Sequence, residues 1–511
     1  MAMDLNDLLV NSVNNYPAKV ALKYEERVYT YEQFHKRVCK LANALLNSGV
    51  GLHDKVAVIA QNCSEYIEIL FACAKIGAVS EHFNWRLAPV IIRASLEDSS
   101  AGIVFMTRNN SEIYGYLKAN LSRPVTFILI GHENTRGIGY EEFIKDGNDF
   151  CASAGLQEDD AALQLYTSGT TGKPKGVLFT TESIVTQTLV TVIEKRFKHD
   201  DVLLFQQALF HIPLISVFDI FTVGGTLILS KSCNAAELVR FFREERVTRA
   251  GFVPYTLNIL AAYLEKNDIR ITSLRTIDYG TAPMNAELLE KCIGLLRCEF
   301  QQSYGMTEMA GTVTMLRPEH HAAKDKLVTV GKPQLGVQIK IVKENGEDCK
   351  AGETGEIAAR SKAMMKCYFN NPELTAEAIR DGWYHTGDIG FIDEDGFLHL
   401  LDRKKNMIIC GGENIYPKEV ADCIRSMGTD ILDAEVIGIP DGLWGQQVMA
   451  AIVKKAGSQL TAQDIIDHCK SNLASYKKPK YVYFLRELPR NAALKVDREK
   501  LKELHFRSIK S

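Results

Sequence analysis

The chain has 511 residues, 46% of them hydrophobic and 24% charged, with a net charge of -3 at pH 7. That length exceeds what one core usually organises, and the composition is ordinary for a soluble globular chain, so two or more domains are expected. A charge this near balance excludes a general electrostatic grip on nucleic acid or an anionic membrane, though not a local basic patch.

The opening, MAMDLNDLLVNSVNNYP, has no basic start, long apolar core or small-residue cleavage site, so no secretory signal is expected. KVAVIA over 55–60 predicts a buried strand, 65–76 the helix after it, and GIVFM over 102–106 a further strand. Residues 213–230 are the most lipid-like, but Asp219, Thr222 and Gly224-Gly225 interrupt them, which predicts a buried helix and then a strand over 226–229. Residues 249–253 predict a strand leading into a helix over 255–266, and 274–279 are strand-like again. Such alternation implies parallel sheets flanked by helices.

From about Gly331 the texture changes. Short runs over 338–342, 355–359 and 397–401 are separated by Asn345-Gly346, Ala351-Gly352 and Asp395-Gly396, which predict hairpins and a small β-barrel. Asp402-Arg403-Lys404-Lys405 follows, and then a shorter α+β pattern. The fold class expected is α/β: a large N-terminal domain over 1–401 with a barrel subdomain, and a small mobile α+β domain over 402–511.

The 12 cysteines form no C-x-x-C pair, and no H-E-x-x-H occurs, which disfavours a zinc or thioredoxin-like centre. Small buried thiols in a reducing compartment are expected instead. The tail Ile509-Lys510-Ser511 is not a peroxisomal signal, so a cytoplasmic location is expected.

The strongest chemical signal follows the apolar run 161–166: Tyr166-Thr167-Ser168-Gly169-Thr170-Thr171-Gly172-Lys173-Pro174-Lys175-Gly176. Glycines let backbone N–H groups turn onto phosphate oxygens, hydroxyls add donors, and two lysines add charge. Pro174 after Lys173 rules out a Walker A loop. The string resembles the phosphate loop of the adenylate-forming superfamily: acyl- and aryl-CoA synthetases, peptide-synthetase adenylation domains and firefly-type luciferases. Further matches run in the family's order over almost the whole chain.

Tyr279-Gly280-Thr281-Ala282-Pro283 resembles the segment bordering adenine and the acyl pocket, and Tyr304-Gly305-Met306-Thr307-Glu308 the next one. The resemblance implies that Tyr304 stacks on adenine, Thr307 contacts phosphate and Glu308 helps hold Mg²⁺. Asp388, in Gly382-Trp383-Tyr384-His385-Thr386-Gly387-Asp388, is implied as the ribose acceptor. Asp402 is implied as the hinge and Arg403 as a second nucleotide contact. Leu209-Phe210-His211 resembles the motif whose histidine borders the acyl carboxylate. Lys495 is implied as the adenylation lysine, although relatives have glycine before it and this chain has Leu494.

The activity implied is ATP-dependent formation of an acyl-adenylate and then of an acyl-CoA. ATP, Mg²⁺, coenzyme A and a small carboxylic acid are the implied partners, with no nucleic acid and no integral membrane segment; a homodimer stays open. Gly411-Gly412-Glu413-Asn414-Ile415-Tyr416-Pro417 is implied to face the pantetheine tunnel, and Arg86, Trp444 and Lys477 are candidates for the CoA nucleotide. The acid pocket is expected from Phe205, Phe210, His211, Tyr279, Gly280, Gly305 and Met306. Phe205, Phe210 and Tyr279 either shape a flat slot or line a tunnel, and Gln206 and Gln207 either read a polar substituent or face away. An aryl or medium-chain acid is favoured. A carrier-protein acceptor, a long-chain fatty acid, a luciferase-like oxygenase and a non-catalytic nucleotide binder are the other readings.

Overall fold

The computed structural model describes residues 3–107, 110–131, 137–167, 174–231, 234–282, 284–411, 413–428, 430–490 and 496–510. By proximity the chain falls into two units: residues 1–339 with 359–384, and residues 340–358 with 385–511.

The first unit is built on two sheets. Among the described residues one has eight strands, with Lys55–Ile59 central between Val79–His82 and Ile103–Thr107, all parallel. The helix after the first of these strands, Ser64–Ile76, is buried on every side, which is why its sequence shows little amphipathic stripe. The second sheet has nine strands among the described residues. Val202–Phe205, Arg249–Phe252, Thr276–Gly280 and Glu299–Met306 run parallel at its centre, and the antiparallel Gly311–Leu316 follows.

The lipid-like stretch is the buried helix Ile215–Thr222 and the strand Thr226–Leu229. Its Gly224-Gly225 joint is steric as well as conformational. A Cβ on Gly224, whose φ is +74°, would lie 2.4 Å from the Tyr16 ring, and one on Gly225 would lie 2.2 Å from Ile220. Among the described residues no helix is long and apolar enough to cross a membrane.

In the second unit the three Gly turns fall where the pattern puts them: Gly346, Gly352 and Gly396 have φ of 86°, 81° and 83°. Trp383–Ile392 pairs antiparallel with Leu398–Arg403, bringing Asp388 opposite Arg403. The last hundred residues form a sheet in the order Glu413–Ile415, Ile408–Cys410, Gly445–Lys454, Ile431–Asp441, with Tyr481–Leu485 parallel to Gly445–Lys454. Alternate residues of its long strands enter two cores. Val436, Val448, Ala450 and Ile452 pack with Val420, Ile424, Ile465 and Cys469. Ile437, Ile439, Met449 and Ala451 pack with Leu488 and Leu501. Both faces are covered, so these strands read as apolar runs.

Candidate active site

The phosphate-loop string ends on paired strands, with Thr167 opposite Lys175 in the antiparallel pair Ala161–Thr167 and Lys175–Thr180. Ser168, Gly169, Thr170, Thr171, Gly172 and Lys173 lie outside the described residues, as do Pro283, Gly412, Leu494 and Lys495. Lys175 Nζ sits 5.4 Å from the Tyr368 ring centroid, and the Tyr368 hydroxyl donates to Glu308 Oε1 at 2.7 Å. Burial, and then the Glu308 charge, push the Tyr368 phenol up, so it stays a donor at neutral pH. Tyr368 carries no motif signal. It reaches the site because Cys367–Tyr368 pairs with the edge of Lys175–Thr180, Tyr368 opposite Val177.

Glu308 lies in the turn Thr307–Met309, after the strand that carries Tyr304, Gly305 and Met306. Its second carboxylate oxygen has no protein hydrogen bond among the described residues, which suits a hard cation. No group of three or more His, Cys, Asp or Glu able to hold a metal occurs among the described residues. One carboxylate with an open oxygen fits a single protein contact to Mg²⁺, which Glu308 would supply. Thr281, exposed and β-branched, holds a φ of 66°. That backbone strain costs about 1–3 kcal/mol and concentrates at functional loops. Ala282 beside it is also exposed.

The acid motif is clamped by a residue that carries no motif signal. Buried Asn62 donates to Gln207 O at 2.7 Å and Ser230 O at 3.2 Å, and accepts from Leu209 N at 3.1 Å. Phe210 is buried with its ring centroid 4.4 Å from that of His211, and half-buried His211 starts the turn Ile212–Leu214. The Arg86 guanidinium lies 5.6 Å from the Phe210 ring centroid, beside the acid motif.

Strand alternation and register decide which side chains share a face. Gly251 is opposite Asp278, Asp278 opposite Gln301, and Gly280 opposite Ser303, so these five share one face, and Phe205 extends it by register. Tyr279, grouped above with Phe205 as shaping a slot or lining a tunnel, does not share the Phe205 face. Its side chain is on the other face, 6.3 Å from the Phe300 ring centroid, with its hydroxyl 3.1 Å from His321 Nε2. Burial pushes its phenol up, and because His321 Nδ1 faces the Arg317 carbonyl at 3.0 Å, the tyrosine is the donor. Gly280 and Gly305 are glycine for reasons of packing. A Cβ on them would lie 2.3 Å from Ser303 O and 1.7 Å from Gly311 O.

In the second unit Arg403 Nε lies 3.2 Å from Asp388 Oδ1, and Asp388 is buried. Asp402 is buried too. Its Oδ1 accepts from Arg403 N and Asn406 Nδ2 at 2.7 and 3.0 Å, and its Oδ2 from Lys418 N at 3.0 Å, tying the strand end to the start of helix Pro417–Arg425. Gly411, at φ 61°, donates to Trp444 O at 2.9 Å, and a Cβ there would lie 2.7 Å from the indole. Trp444 is half exposed at 50%. The expected cation, Lys477, is bound to both Glu419 oxygens at 2.7 Å. Lys480 is linked to the Trp444 turn instead: it pairs at 3.0 Å with Asp441, whose other oxygen accepts from Leu443 N and Trp444 N at 3.0 Å.

Residues 9–369 match the family model for AMP-binding enzymes, and residues 427–495 match the AMP-binding enzyme C-terminal domain. The chain belongs to the AMP-binding enzyme family. It is 34% identical over 484 residues to a feruloyl-CoA synthase of Amycolatopsis sp., covering 94% of each chain. It is 32% identical over 493 residues to a fatty acid–[acyl-carrier-protein] ligase of Streptomyces coeruleorubidus, covering 95% of this chain and 93% of the other. Its fold superposes on o-succinylbenzoate CoA synthetase from Bacillus subtilis, in complex with an acyl-adenylate intermediate, at TM-score 0.84. The identity there is 31%, with 97% of this chain and 98% of that one covered.

Proposed function

We propose that this chain, as an ATP-dependent acid–CoA ligase, activates an aryl or medium-chain carboxylic acid. A carboxylate is a poor acyl donor because oxide would have to leave. One carboxylate oxygen therefore attacks the α-phosphorus of ATP, that bond forms as the bond to pyrophosphate breaks, and an acyl-adenylate results. Two anions meet in that step, so cationic charge matters more than a general base. Lys173, Lys175 and Lys495 supply it, Thr167 and the loop hydroxyls bind phosphate oxygens, and Thr307 joins them. Glu308 would hold Mg²⁺, which would supply further positive charge for the phosphates.

Tyr304, Thr281 and Ala282 border the adenine, Asp388 accepts from the ribose hydroxyls and Arg403 accompanies it. His211 borders the acid carboxylate. The CoA thiol then attacks the anhydride carbonyl and AMP departs. Asp402 is the hinge of a lid over 402–511, and Gly411, Gly412 and Trp444 face CoA. The observation that carries this reading is the cluster of Lys175, Tyr368 and half-open Glu308 at the root of the phosphate-loop string. The relative that loads a carrier protein makes that acceptor the second reading. The described cysteines are free thiols, which supports a cytoplasmic location.

Purified protein is incubated with ATP, Mg²⁺ and a panel of acids, following pyrophosphate and AMP. Acid-dependent pyrophosphate release with sustained AMP turnover only when CoA is present is the expected result. Pyrophosphate release indifferent to CoA moves the acceptor to a carrier protein.

A further inference from the structure

The face shared by Gly280 and Ser303 continues downward to Gly251, Asp278 and Gln301. Asp278 lies two strand residues, about 7 Å, below Gly280, roughly the depth of one aromatic ring. This level has room for a Cβ. One on Gly251 would sit in ordinary contact, with nothing nearer than the Gln207 amide at 3.7 Å and the Asp278 Cβ at 3.9 Å. Gly251 is half-buried although it sits at the middle of the sheet.

The level is also polar. Asp278 Oδ1 takes Lys195 Nζ at 3.1 Å and Gln301 Nε2 at 2.7 Å, and Oδ2 faces Arg249 at 3.4 Å. Two buried groups beside it lack partners. Among the described residues Ser303 Oγ, on the same face, makes no hydrogen bond, and neither does Oδ1 of Asp219, which is 1% exposed. Asp219 comes from helix Ile215–Thr222, and the charges acting on it are Lys195, Asp278 and Arg249, so it faces the same cluster. The Gln207 side-chain amide, hanging over Gly251, has no hydrogen-bond partner among the described residues.

We propose that the acid pocket ends on this floor, and that Gln207, Asp278 and Lys195 select an aryl acid bearing a hydroxyl at the end remote from its carboxylate. The inference rests on the ligase reading above and names the substrate class of the same site. A hydroxyl donates to Asp278 or the Gln207 carbonyl and accepts from Lys195 or the Gln207 amide. A methyl or alkyl end would leave the Gln207 amide without a partner, and a second carboxylate would face the Asp278 charge. Burial pushes the Asp219 carboxyl well up, which favours its uncharged form beside Asp278.

The test compares aryl acids that differ only in a terminal hydroxyl or methyl, by acid-dependent pyrophosphate release. Wild-type protein is expected to favour the hydroxyl acid in kcat/KM by about 100-fold or more. Gln207→Leu, which leaves the ion cluster intact, and Asp278→Asn are each expected to lower that ratio at least tenfold by slowing the hydroxyl acid. Gly251→Val is expected to abolish turnover of para-substituted acids and spare unsubstituted benzoate-sized ones. A wild-type preference for methyl or alkyl ends, or a ratio unmoved by Gln207→Leu, overturns the inference and leaves the ligase reading standing. No pyrophosphate with any acid removes the ligase reading, and this inference with it.

Discussion

The two sheets of the first unit each bury an ion pair at a central strand, and the two pairs are finished differently. In the eight-stranded sheet Lys55 reaches Glu81 at 2.9 Å and Gln164 at 3.2 Å, and its ammonium lies 3.1 Å from the Phe369 ring centroid. The remaining space is closed, since a Cβ on Gly176 would lie 2.6 Å from the Gln164 amide. In the nine-stranded sheet Lys195 and Asp278 border Gly251, where a Cβ would meet nothing nearer than 3.7 Å. Buried charge therefore does not mark a site by itself. What separates the two clusters is the room for a Cβ at Gly251, which Gly176 lacks.

The largest effect that separates the two clusters is on stability. Glu81→Ala leaves Lys55 buried without its partner and is expected to cost about 3–5 kcal/mol in urea unfolding. The ratio of turnover between hydroxyl and methyl acids should stay at its wild-type value. A shifted ratio would mean that the closed cluster also reads the acid.

The glycines give the next contrast. Gly176→Ala must displace the Gln164 amide and is expected to cost about 1–3 kcal/mol. Gly251→Ala places its Cβ at ordinary contact distances and is expected to leave the melting temperature nearly unchanged while altering acid preference. Equal destabilisation by both would remove the claim of space at Gly251.

Acid sharpens the same contrast. Burial pushes Asp278 up, but Lys195 and Arg249 outweigh it and hold the carboxyl below its usual range, so its ionised form stabilises the fold. That contribution is complete above the unfolded value, near about 4, and is lost as pH falls through the lower folded value. Asp278→Asn should therefore lose more stability relative to wild type at pH 7 than at pH 3. Burial instead leaves Glu81 raised despite Lys55, so acidification relieves that cluster rather than weakening it. A deficit in Asp278→Asn that does not shrink in acid would contradict the ionised state assigned to Asp278.

The smallest effect concerns Tyr368. Tyr368→Phe removes one hydrogen bond to Glu308 and keeps the ring beside Lys175, so the apparent KM for Mg·ATP should rise about three- to tenfold. An unchanged KM would mean that Glu308 is positioned by its own turn.

Most of the fold was legible because its signals are local. The alternation of apolar strands and helices through residue 280 and the Gly turns at 346, 352 and 396 depend on neighbouring residues only. The family strings were legible for the same reason. What sequence could not display was register. Tyr279 reads as a pocket aromatic until the pairing of Thr276–Gly280 with Glu299–Met306 turns it to the far face. Tyr368 and Asn62 reach the site across pairings and contacts separated by well over a hundred residues. The floor at Asp278 exists only because Gly251, Asp278 and Gln301 fall side by side on three strands. Sequence offers Lys477 as a cation for the CoA nucleotide but cannot display its pairing with Glu419, nor that Lys480 holds the Trp444 turn through Asp441.

The central claim, two half-reactions run by one chain, is tested most directly by separating them in wild-type protein and Lys495→Ala. The account predicts that Lys495→Ala slows acid-dependent pyrophosphate release by about 10²–10³-fold. The same variant should convert supplied acyl-adenylate and CoA to thioester at a rate near wild type. Equal loss in both steps, or pyrophosphate release unchanged despite Leu494 and the missing lysine, would contradict it.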